Sequence, residues 1–143
     1  SLSIKLPIGL TKKEAPPAPG SESVFASIRE WSGREAGIDV ALSYFQIRES
    51  QSLDLGGWVA AYGKNLEKEG FADFSPNVEV VRLGTAQGRR ILAKTGSPQG
   101  GSFIQIILLS SGQKCWAIQI RTPGGTAFEG LQEGIFKSIK LTN

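Results

Sequence analysis

The chain has no histidine, no methionine and one cysteine, Cys115, in 143 residues. Each absence excludes chemistry. Without histidine there is no Ser-His or Cys-His nucleophile pair, no imidazole general base and no imidazole metal ligand. One cysteine makes neither an internal disulfide nor a Cys-x-x-Cys zinc site. No run approaches the ~18 apolar residues of a membrane-crossing helix, and no secretory apolar stretch opens the chain. An excess of one charge is missing too. Sixteen Lys and Arg stand against 13 Asp and Glu, a net charge of +3, and the signs are interleaved, as in Lys12-Lys13-Glu14. A nucleic-acid binder clusters basic residues on one face, often with aromatics that stack bases. The densest pair beyond Lys13 is Arg89-Arg90, near Arg82 and Lys94, and a solvated strand face explains it. No nucleic acid and no cofactor is expected.

What is present is globular. Hydrophobic residues make up 40% and charged ones 20% of the chain, which suits a single domain over residues 1–143 with a core of its own. A start without methionine fits a processed or a trimmed chain. The expected location leans extracytoplasmic, as a mature secreted protein or lipoprotein.

Hydrophobic periodicity orders the elements. Ile4, Leu6, Ile8 and Leu10 alternate, and Pro7, which has no N–H to donate, places such a strand at an edge. Residues 15–21 are a Pro-rich loop and read as a rigid connector. Residues 24–30 alternate, and Trp31 to Glu35 reads as a hairpin turn. Residues 38–48 are apolar on both parities, which predicts cover on both faces. Leu55, Trp58, Val59, Tyr62 and Leu66 keep helical spacing, with Asp54 or Ser52 as N-cap and Gly70 just past the end. Four strands are predicted at 78–85, 89–95, 102–110 and 115–122, with 86–88, 96–100 and 111–113 as links. Links so short imply antiparallel neighbours. Thr126-x-x-Glu129 reads as a capping box opening a helix over 126–139. The residues after it look too short for another element. The expected fold is α+β, an α/β/α sandwich. A largely antiparallel sheet of six to seven strands is flanked by two helices.

This order resembles the PsbP-like superfamily, which includes photosystem II extrinsic proteins, a Ran-binding import factor and bacterial domains. The opening Ile4-Lys5-Leu6-Pro7, the helix entered after a long strand and the segment Leu108 to Lys114 carry the resemblance. So does the closing Phe128…Ile135-Phe136-Lys137-Ser138-Ile139-Lys140. It implies a fold shared by proteins of unrelated functions and supplies no catalytic signature.

The chemical constellations are thin. Gly57…Gly63-Lys64-Asn65 imitates a phosphate loop but has the wrong spacing and lies within a helix. The turn before Thr126 resembles an anion site at a helix start, but a helix cap is the preferred reading, since Thr126 and Glu129 would already satisfy some of those N–H donors. Glu67/Glu69 and Glu30/Glu35 are surface-like carboxylates beside cations. Cys115 reads as a buried, inert thiol. Trp31, flanked by Arg29 and Arg34, has the composition of an interface hot spot, and a tryptophan folded over a sheet edge is the blander reading of the same residue.

The leading expectation is therefore a non-enzymatic macromolecular-interaction domain with a protein partner. The sheet edges and the Trp31 hairpin make the contact, with Arg29, Arg34, Arg89 and Arg90 as further candidates. The alternative is a carrier of a small ligand or lipid, with an apolar pocket between a helix and the sheet.

Overall fold

A computed structural model of the chain describes residues 2–13, 25–49, 53–72, 78–95 and 101–141. The expected Pro-rich loop at 15–21, the Ser52 cap and the link at 96–100 lie outside them. The elements run β1 (Leu2–Ser3), β2 (Thr11–Lys13), β3 (Phe25–Glu35), β4 (Ile38–Ile47), α1 (Leu55–Lys68), β5 (Phe71–Ala72) and β6 (Val78–Leu83). They continue through β7 (Ala86–Thr95), β8 (Ser102–Ser111), β9 (Lys114–Pro123), α2 (Thr126–Ser138) and β10 (Lys140–Leu141). The main sheet has the order β2-β3-β4-β9-β8-β7-β5, and β6 also pairs with β7. Every pairing is antiparallel. The sheet thus spans seven positions, and the α+β class is as expected.

Two-sided burial follows from parity. In β8, Ile104, Ile106 and Leu108 enter a core with Leu66 of α1, and Ile107 and Leu109 enter another with Ile135 of α2. β9 divides likewise, Cys115 and Ala117 against Trp116, Ile118 and Ile120. Each fully buried aliphatic chain contributes about 1.5–3 kcal/mol relative to exposure, so the doubly apolar centre dominates stability.

Several local expectations are corrected. Residues 4–10 join no ladder. They cross the α2-side face of the sheet as an extended strap whose even residues, Leu2 through Leu10, are half-buried while the odd ones are exposed. Period two reported burial correctly, but the hydrogen-bonded strands are the flanking ones. β1 pairs with β10, so the short C-terminal residues do form an element, and β2 pairs with β3. Between them Lys5 N–H donates to Ser138 Oγ at 2.9 Å.

Trp31 to Glu35 is no turn. β3 continues to Glu35, and the chain reverses at Ala36-Gly37, both with positive φ (51° and 80°). That pair of left-handed residues matches the twist of a two-residue hairpin. Ala86 to Gly88 is also strand, because the reversal falls at Gly84-Thr85. The Thr126/Glu129 capping box does not form. Gly125 is the N-cap, with φ 125° and no side-chain cap bond, and Glu129 instead pairs with Lys94. Asp54 is the N-cap of α1, also without a side-chain bond, and Gly70 takes its left-handed place after that helix.

Candidate functional site

The five candidate residues do not share one surface. Alternation along β3 and its register with β4 place Arg29 and Trp31 opposite Tyr44 and Leu42 on the α2-side face, and Arg34 opposite Asp39 on the other. Arg34 grips Asp39 through two hydrogen bonds of 2.9 and 2.8 Å. Its guanidinium holds the Asp39 carboxyl below the usual range. Asp39 lies across from Arg121, which pairs with Glu69 at 2.5 Å. Arg34, Asp39 and Arg121 line a polar trough of about 430 Å³.

Arg89 and Arg90 lie on the far strand β7 and point to opposite faces. Arg89 caps its neighbour's carbonyl, Gly88 O, at 2.9 Å. Arg90 is buried, contrary to its reading as a solvated strand residue. Its Nε donates to Gln105 Oε1 at 2.6 Å, its other nitrogens reach Glu79 and Glu133, and its guanidinium lies 4.0 Å from the centre of the Phe136 ring. Gln105 and Gln132 extend this network to Thr122 and the Phe103 carbonyl. None of its buried side-chain polar atoms lacks a partner, as burial requires, so Arg90 fastens α2 to the sheet.

Trp31 and Arg29 do converge, on an apolar groove of about 660 Å³ between the strap and the sheet. Trp31, Leu42, Tyr44 and Trp116 form its floor, and Leu2, Ser3, Ile4 and Leu10 its wall. Tyr44 and Trp116 lie 5.6 Å apart, tilted by 50°, within the favourable range for aromatic pairs. The strap lies close. A Cβ on Gly33 would stand 2.2 Å from the Gly9 carbonyl oxygen, so only glycine fits under this crossing. Arg29 and Lys114 stand at one end of the groove, and among the described residues neither is in an ion pair. Among the described residues no carboxylate lines the groove. The groove lies between strap and sheet, not between a helix and the sheet where the carrier alternative expected one. The strap residues are the ones sequence reasoning missed as a site, although their alternation marked them as facing something apolar.

The remaining nucleophile is quiet. Cys115 is fully buried, and burial pushes its thiol up to about 11, against a smaller opposing effect of a hydrogen bond with Ser110. Burial, helped by Glu30, also raises the Tyr62 phenol. Both groups are neutral in the fold and ionise more readily in the unfolded chain, where a thiol titrates near ~8.5 and a phenol near ~10. Their contribution is complete below the unfolded values and is lost as pH rises through the folded ones. The urea midpoint should therefore fall between pH 8 and 10.5, and less steeply in Cys115→Ala. At pH 8 Cys115 should resist a thiol reagent until urea unfolds the chain. Prompt labelling without denaturant contradicts this placement.

No protein-family model matches the chain, and no curated protein matches it. The resemblance to the PsbP-like superfamily accordingly rests on pleat and helix pattern. Among solved structures the chain is similar to LpqN of Mycobacterium tuberculosis, a protein involved in cell envelope biogenesis. The TM-score is 0.50 and the identity 12%, over 100% of this chain and 85% of that one. A likeness at that identity establishes the fold: this antiparallel sheet with its helices also occurs in a bacterial envelope protein.

Proposed function

We propose that the chain is a non-enzymatic binding domain that holds an apolar small molecule between the strap and the sheet. The groove carries this reading. Large apolar side chains on its floor, Trp31, Leu42 and Tyr44, are only half-buried, and its volume falls within the ~300–1,000 Å³ usual for ligand sites. The chemistry of the chain is consistent with holding a ligand unchanged. There is no histidine, the one thiol is buried and neutral, Asp39, Glu69 and Glu129 each pair with a different cation, and Glu79 and Glu133 share Arg90.

A neutral fluorescent probe, N-phenyl-1-naphthylamine, tests the reading. It should bind saturably at one site, and Trp31→Ala should weaken it about tenfold or more, since an aromatic anchor contributes on the order of 2 kcal/mol. Unaltered affinity in Trp31→Ala would place the ligand elsewhere.

A second reading, the protein partner, is favoured by the edge strand β6, where Val80 is 69% exposed. An extended segment of another protein adds to such an edge through main-chain hydrogen bonds. Val80→Lys should then reduce capture of that partner while leaving probe binding intact.

A further inference from the structure

We infer that the ligand is a single-chain amphiphile with an anionic head, its tail over the aromatic floor and its head between Arg29 and Lys114. This rests on the ligand-binding reading above and names the chemistry that the groove selects. The polarity of the site runs along the strands. On the α2-side face the cross-strand row Trp31–Leu42–Ile118 is apolar throughout. The next row is Arg29–Tyr44–Trp116, and one step further Gln46 lies opposite Lys114. One end of the groove is thus cationic and polar, and the rest, Ser3 of the wall apart, is hydrocarbon and aromatic ring.

Charge complementarity fixes the sign of the head. Arg34, Arg90, Lys94 and Arg121 each meet a carboxylate. Among the described residues Arg29 and Lys114 meet none, and no acidic residue lines the groove between them. Two exposed cations at the mouth of an apolar cleft attract an anion and repel a cationic head. A guanidinium gives a carboxylate or phosphate two parallel hydrogen bonds, while lysine adds a point charge. The long stems of both residues can lie along the tail while their heads stay in water.

The test uses the full chain carrying Trp58→Phe. Trp58 packs in the other core, so the remaining tryptophans, Trp31 and Trp116, both line the groove. Their emission is titrated with decanoate, 1-decanol and decyltrimethylammonium, and with decanoate again in Arg29→Gln/Lys114→Gln. Decanoate should bind about tenfold or more tighter than 1-decanol, the cationic amphiphile should bind weakest, and the double variant should erase most of the gap. Each charge is expected to account for about fivefold, the value of a well-placed exposed ion pair. Equal binding of decanoate and 1-decanol, or a gap that survives the double substitution, overturns the anionic head and leaves the apolar site standing. If none of the three compounds perturbs the emission, the ligand-binding reading fails and this inference with it. Circular dichroism and the urea midpoint of the double variant check that its fold is intact.

Discussion

Replacing Gly88 by alanine should destabilise the protein by about 3 kcal/mol, near the upper end for overpacked cores. Gly88 sits in β7, opposite Val81 of β6 and Leu109 of β8. A Cβ at this position would stand 1.8 Å from the Leu108 carbonyl oxygen and 2.9 Å from its carbon. No rotamer change relieves such a clash, because the obstacle is backbone. Leu108 is fully buried, and β8 is held by β7 on one side and β9 on the other. The sheet must open where the two-sided core is tightest. For a chain of this size the melting temperature should fall by about 10 °C. Gly130→Ala is the internal control. Gly130 lies inside α2, and nothing stands within 4 Å of its added Cβ. That substitution should stabilise by up to about 1 kcal/mol, the helix-propensity difference. A Gly88→Ala protein with an unchanged urea midpoint would refute the close approach of β7 and β8.

The second large effect belongs to Arg90→Ala, expected to cost about 3 kcal/mol. The contributions are unequal. Glu79 and Glu133 keep side-chain exposures of 54% and 42%, so water replaces the lost cation and each pair counts for ~1 kcal/mol or less. Gln105 is fully buried. Its carbonyl oxygen loses the donor 2.6 Å away, and an unsatisfied buried acceptor costs about 1–3 kcal/mol. The contact of the guanidinium with the Phe136 ring adds on the order of 1 kcal/mol, and the emptied space adds more. Arg90→Met keeps most of the packing and loses the hydrogen bond and charge, so it should fall between Arg90→Ala and the parent. Arg90→Lys should not restore stability fully, because an ammonium cannot serve Gln105, the two glutamates and the ring at once. Urea unfolding of the three variants measures the order. If Arg90→Ala matches the parent, α2 is held by its apolar stripe alone.

How much of this was legible beforehand can be read from particular residues. Residues 103–109 are apolar on both parities, which places β8 inside the sheet with both faces covered, because residues of opposite parity leave a strand on opposite faces whatever else the chain does. The helix at Leu55–Lys68 and its stop at Gly70 were equally local, since spacing and left-handed freedom belong to a few consecutive residues. Hairpin positions were less legible. Trp31 to Glu35 and Ala86 to Gly88 contain glycines, and a glycine in a strand for close approach looks like a glycine in a turn. The neighbour that demands it, Gly9 above Gly33 or Leu108 beside Gly88, is about 20 residues away in sequence.

The sequence by itself determined the α+β class, the order of the long strands, the two amphipathic helices and the exclusion of imidazole chemistry. All of these follow from composition and short-range period. Only the tertiary structure decided that residues 4–10 are a strap, that Arg90 is buried, and that Trp31 and Arg29 line a groove while Arg34 faces the other way. Those outcomes depend on contacts between distant segments, such as Lys5 with Ser138 across 133 positions. A local pattern records that a side chain needs cover, and the folded chain supplies the element that covers it.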